Sequence, residues 1–138
     1  MKAFSRGSAL IEFALVWPIV VLLVLGSVEL AVWASEAAAA RGAAMAGARA
    51  GTVTGANADV ADAVAVRSLS ASLIGVRAAA WCPGQATPPP PVWVCATDHG
   101  STLQVDVGGT VPSLVPLVSG TGLPLKAHVA LDKATFVK

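Results

Sequence analysis

The stretch "RGSALIEFALVWPIVVLLVLGSVELAVWA", Arg6 to Ala34, decides how the rest of the chain is read. From Leu10 to Ala34 it is apolar almost throughout, and as a helix it would measure about 37 Å at 1.5 Å per residue. That exceeds a bilayer hydrocarbon core of about 30 Å and allows some tilt. Trp17 and Trp33 lie toward the two ends, where amphipathic rings can sit among headgroups. Pro18 removes one helix hydrogen bond and is expected to kink the rod. Two acids interrupt the run, Glu12 near its start and Glu29 near its end. Each would cost about 2–3 kcal/mol near mid-bilayer and less at an interface. Glu29 is read equally well as an interfacial residue or as one that pairs with a neighbouring helix.

The composition agrees with a membrane segment. Of 138 residues, 55% are hydrophobic and 12% charged, against about 25% charged in ordinary soluble domains. The net charge of +1 and the lack of a Lys/Arg-rich run give no footing for nucleic acid. Lys2 and Arg6 precede the apolar run, which places the N-terminus in the cytoplasm and the C-terminal part outside. Arg41 and Arg49 on the far side weaken that asymmetry. Small residues from Ala31 to Ala40 keep open a rival, a secretory signal cut after an Ala-x-Ala site. The length of the run and its two glutamates favour a retained helix.

Glu12 has a more specific context. Gly7 is followed by "SALIEF", so a cut after Gly7 would make Glu12 the fifth residue of the mature chain, with Phe13 next. A short basic leader ending in Gly, four mostly apolar residues, then Glu and an aromatic resembles the type III, type IV pilin-like signal. That resemblance implies cleavage between Gly7 and Ser8 by a prepilin peptidase on the cytoplasmic side, with the helix retained. The new amine at Ser8 would be a cation that a carboxylate four residues on, or on a neighbouring subunit, could pair with. Such a pair is stronger in low dielectric than in water.

The pieces "EFALVWP", "GSVE" and "AAARGAAMAGARAG" extend the likeness. Together they resemble the N-terminal signature of the TadE-like family, minor pilin-like proteins of the tight-adherence (Tad/Flp) pilus. Two positions depart from the signature: Leu30 stands where an aromatic is common after the second Glu, and Gly42 where an acid is common. The resemblance covers about the first third of the chain. It implies a non-enzymatic subunit in the bacterial cytoplasmic membrane, single-pass and with its C-terminal domain outside, in some cases incorporated into an adhesive pilus. Its implied partners are the membrane, a prepilin peptidase, other pilin-like subunits and the Tad assembly machinery, with no small-molecule substrate. Two alternatives are an exported membrane-anchored binding protein unrelated to pili, and a secreted protein with an ordinary signal peptide.

The organisation that follows is a leader (1–7), a transmembrane helix (8–34), a helical extension and turn (35–55), and an exported α+β domain (56–138). Ser35 to Ala50 is rich in Ala and should continue the membrane helix. Gly42, Ala46 and Ala50, and also Gly47 and Gly51, recur at four-residue spacing and would admit another helix closely. That helix is either one from the chain's own domain or one from a neighbouring subunit. "GTVTGAN" reads as a turn, with Asn57 capping a second helix and Asp59 and Asp62 near its positive end. Val66, Leu69, Leu73 and Val76 form its apolar stripe.

"WCPGQATPPPPVWVC" follows, where Pro88 to Pro91 favour extended polyproline II and exclude a central strand. Cys82 and Cys95, outside the cytoplasm, are expected to form a disulfide. "TLQVDV" and "LKAHVALDK" alternate apolar and polar residues as strands of a small antiparallel sheet, with "VWVCA" and "TFVK" as further strands. Gly108 and Gly109 read as a turn opening a long crossover. His99 and His128 lack metal-ligand spacing, and "DHGS", Asp98 to Ser101, reads as a polar turn. No catalytic residue, metal site or cofactor is expected.

Overall fold

The computed structural model describes residues 5–53, 56–113 and 122–133. One helix, α1 (Ser5–Gly51), runs through the membrane segment and the Ala-rich extension without a break. Its 47 residues correspond to about 70 Å. The helix continues through Pro18; proline has no N–H to give, so one carbonyl a turn earlier lacks its helical partner.

The two halves of α1 differ in what covers them. From Leu10 to Val28 the side chains are exposed on every side, Val21 alone being half-buried. From Glu29 onward a stripe at helical spacing is buried: Glu29, Glu36, Ala40, Ala43, Ala44, Gly47, Ala48 and Gly51. The uncovered apolar length is about 28 Å at 1.5 Å per residue, close to one hydrocarbon core. Trp33, expected among headgroups, is instead half-buried against the domain core, and its indole Nε1 donates to the Pro124 carbonyl at 3.0 Å.

Helix α2 (Ala58–Ser70) starts where Asn57 accepts the Val60 N–H through its side chain at 3.1 Å, a cap of the usual asparagine kind. Its buried stripe is Ala61, Ala65 and Leu69. Leu73 and Val76 pack on the core from beyond the helix end. Four strands complete the fold: β1 (Ala78–Ala80), β2 (Val92–Asp98), β3 (Thr102–Val111) and β4 (Leu123–Asp132), in the spatial order 1-2-3-4. Both helices lie on one face, α1 over β3 and β4, α2 over β1 and β2. The architecture is α+β. Val92, Val94, Leu103, Val105, Val107, Val111 and Leu125 face the helices and, with the alanines of α1 and α2, form the core. Leu69, Leu103 and Leu125 are almost wholly enclosed, each contributing about 1.5–3 kcal/mol by leaving water.

Two expectations are corrected. The sheet is mixed, because β1 pairs parallel to β2 while β2, β3 and β4 are antiparallel. The chain returns from β1 to the start of β2 through the Pro-rich segment, whose extended prolines span the distance without a helix. Gly108 and Gly109 are not a turn; they lie inside β3, paired with Trp93 and Val92 on one side and with Lys126 and Leu125 on the other. They are glycines because neighbouring atoms occupy the side-chain space. A Cβ on Gly108 would fall 2.4 Å from the Trp93 ring. The suggested strand "TFVK" lies outside the described residues.

Polar ties hold the layers. Asp62 Oδ1 accepts the Ala96 N–H at 2.7 Å, beyond the point where the short β1 stops covering β2. Burial pushes the Asp62 carboxyl above its ordinary range, partly opposed by that hydrogen bond and reinforced by Asp59. Glu36 Oε1 accepts the Ile74 N–H at 3.4 Å. At the other end of the sheet Lys133 pairs with Asp98, and this bond, with the Gly100 N–H, holds the Asp98 carboxyl below its ordinary range. Cys82 and Cys95 are joined, with Cα atoms 4.8 Å apart. The bridge closes a loop of about 14 residues, for which chain entropy gives about 3 kcal/mol. Replacing both cysteines by serine should lower unfolding stability by about that amount, read by urea denaturation, and reductant should then have no further effect on the variant.

Candidate functional site

The functional residues proposed from sequence fall along α1. Gly7 and Ser8 lie in its first turns, while the beginning of the leader, 1–4, is outside the described residues. Ser8 and Glu12 are four residues apart in one helix and therefore share a face. Glu12 is exposed, three positions into the uncovered apolar length. Phe13 stacks on Trp17 one turn on, ring centroids 5.6 Å apart. The hydrophobic band thus begins with an aromatic pair immediately after the acid.

Glu29 sits at the other limit of the uncovered length, where the domain first covers the helix; it is 8% exposed and not left without an interaction. Most of the apolar span therefore lies between the two acids. Glu36, 4% exposed, is a third acid on the same stripe, seven residues beyond Glu29. It was not singled out from sequence, although that spacing places it on the Glu29 face.

The small residues divide between two tracks. Gly47 and Gly51 meet the chain's own domain: a Cβ on Gly47 would fall 2.7 Å from the Ala61 carbonyl oxygen and 2.8 Å from the Ala65 Cβ. A Cβ on Gly51 would fall 2.8 Å from the Ala61 Cβ. Gly42 faces open space, with nothing within 4 Å of such a Cβ, and Ala46 and Ala50 are half-buried. A track through Gly42, Ala46 and Ala50 is therefore open at Gly42 and partly covered at Ala46 and Ala50.

Among the described residues no group of three or more His, Cys, Asp or Glu side chains could hold a metal ion. "DHGS" forms the tight connection between β2 and β3, with Gly100 at φ +84° and its N–H bonded to Asp98 Oδ1 at 2.8 Å. His128 lies elsewhere, its Nδ1 2.6 Å from Asp106 Oδ1.

The N-terminal geometry has a counterpart in a known family. The family described as TadE-like protein matches residues 7–49. That span starts at Gly7, takes in the uncovered apolar length, and ends within the Ala/Arg/Gly extension. The chain thus carries an N-terminal segment similar to that family over about its first third. No curated protein and no solved structure gives a significant match. Among the described residues one helix is long and apolar enough to cross a membrane, and it fits a single-pass membrane protein.

Proposed function

We propose that the chain is a TadE-like minor pilin or pseudopilin subunit that takes part in assembling or initiating an adhesive Tad pilus. A prepilin peptidase removes Met1 to Gly7, the apolar part of α1 stays in the cytoplasmic membrane, and the α+β domain lies outside. The observation that carries this reading is one coincidence. The family match begins at the glycine of the leader motif and covers the helix whose first half is uncovered.

The chemistry is that of assembly, not catalysis. Cleavage creates an ammonium at Ser8 one helical turn from Glu12, and among packed subunits the acid of one copy can neutralise the amine of the next. The uncovered length from Leu10 to Val28 supplies apolar contact, and the track of Gly42, Ala46 and Ala50, open at Gly42, supplies close approach between rods. Mass spectrometry of the mature N-terminus tests the assignment. A chain starting at Ser8 supports it, an intact Met1 indicates an uncleaved anchor, and a start beyond Ala31 indicates a secreted protein.

Glu12→Ala should leave membrane insertion intact or improved, since removing the acid relieves a cost of about 2–3 kcal/mol or less. Incorporation beside wild-type subunits should nevertheless fall at least about tenfold, the equivalent of about 1.4 kcal/mol. Quantifying both variants in the membrane fraction and in sheared pili separates the two effects. Equal incorporation would remove the pairing argument.

A further inference from the structure

The sheet face turned away from the helices carries an open groove of about 520 Å³. We infer that this groove binds a neutral oligosaccharide. The strand register places two cross-strand rows there: Trp93, Gly108 and Lys126 in one, Cys95, Asp106 and His128 in the next.

Three carbons of the Trp93 six-membered ring lie 2.4–3.0 Å from the point where a Gly108 Cβ would be. The ring therefore lies face-down on β3, as a platform along the sheet. Trp81 and Trp93 make an edge-to-face pair, centroids 5.8 Å apart and planes inclined by 63°. Trp81 and Trp93 of the domain, and Trp33 packed against it, differ in one respect. Trp33 donates its indole N–H to the Pro124 carbonyl, and Trp81 donates to the Thr87 carbonyl. Among the described residues the Trp93 N–H has no such partner, and Trp93 lines the groove.

The polar groups are arranged to suit hydroxyls. Asp106 is engaged on both oxygens, by Gln104 Nε2 at 2.7 Å and by His128 Nδ1 at 2.6 Å. That fixes the imidazole and leaves its Nε2 to a ligand, on a side chain 58% exposed. Thr97 adds a hydroxyl, and Lys126 forms no ion pair among the described residues. One carboxylate, Asp106, and one ammonium, Lys126, line the groove, so neither sign of charge dominates it. A nucleic acid would need several cations for its phosphates, and the groove has one lysine. A peptide strand adding to a sheet pairs at an edge, whereas this groove lies on the face, with β3 at its middle bonded on both sides. A pyranoside offers a C–H face for an indole and a rim of hydroxyls that both donate and accept, which matches this inventory.

The inference is independent of leader cleavage and pilus incorporation, since it concerns the isolated chain. The test uses the full chain, ¹⁵N-labelled on its indoles, in an amine-oxide detergent that carries no sugar headgroup. Cellohexaose, chitohexaose and maltohexaose are titrated separately. At least one should shift saturably the indole N–H resonance that is missing from Trp93→Phe, leaving those of Trp33 and Trp81 in place. His128→Ala and Lys126→Ala alter exposed side chains and should each weaken that binding about tenfold, the usual scale of one lost hydrogen bond in a site. The inference is overturned if none of the three sugars moves the resonance, or if both alanine variants bind as wild type. It is equally overturned if the resonance moves with protein concentration alone, which would mark the groove as the seat of a second copy.

Discussion

Gly109→Val is expected to destabilise the domain by about 2–6 kcal/mol, enough at the upper end to unfold much of the population of a small domain. Two independent terms add. Gly109 has φ +133°, a region that a β-branched residue enters only at a cost of about 1–3 kcal/mol. A Cβ there would also fall 2.1 Å from the Pro91 carbonyl oxygen and 2.7 Å from the Val92 Cα. These are backbone atoms of the paired strand, so no rotamer change relieves the clash, and overpacking adds about 1–3 kcal/mol. The paired Thr110 N–H to Pro91 carbonyl bond, 2.7 Å, would open with it. Urea denaturation followed by near-ultraviolet circular dichroism measures the loss. Gly42→Ala is the matched control, because its Cβ meets open space and alanine should raise helix stability by up to about 1 kcal/mol. Valine at 109 with wild-type stability would show that β3 does not approach Pro91 this closely.

The second large effect concerns maturation. Gly7→Val should abolish cleavage, leaving a protein heavier by the mass of the leader from Met1 to Gly7. Glycine lets a peptidase reach the backbone without a side chain in the way, and a β-branched residue both fills that space and stiffens the chain. Without cleavage there is no ammonium at Ser8, so Glu12 keeps its cost and gains no partner. Gly7→Val should therefore reproduce the incorporation defect of Glu12→Ala while leaving the domain's unfolding transition unchanged. An unaltered mature mass would refute the leader assignment without touching the sugar-binding inference.

How far the chain could be read in advance depended on whether one short segment carried its own signal. The long helix was legible because apolar length and alanine content both favour it, and Asn57 announced α2 through its cap. The alternation in "TLQVDV" and "LKAHVALDK" placed Gln104, Asp106, Lys126 and His128 on one face, which is the groove face. It could not show that the groove forms, because that depends on Trp93 lying on Gly108 across the register. β1 was illegible: Ala78 to Ala80 carries no strand preference and pairs only because the loop returns β2 beside it. Gly108 and Gly109 were misread for a related reason, since a glycine pair has the same appearance in a turn and under a tryptophan. The leader motif, by contrast, is wholly local, and the structure adds only that Ser8 and Glu12 share a helical face. Glu29, read either as interfacial or as a partner for a neighbouring helix, sits where the domain begins to cover the rod.

The continuity of α1 from Ser5 to Gly51 has a mechanical consequence. No joint separates the part long and apolar enough to cross a membrane from the part that carries the sheet, and the Trp33 to Pro124 and Glu36 to Ile74 bonds clamp the domain to the rod just above Val28. A load applied to the domain is therefore delivered along the helix axis into the apolar half, and a small tilt of that half swings the whole domain with it. The molecule behaves as a lever whose handle is the membrane segment, so its orientation is set by whatever grips that handle.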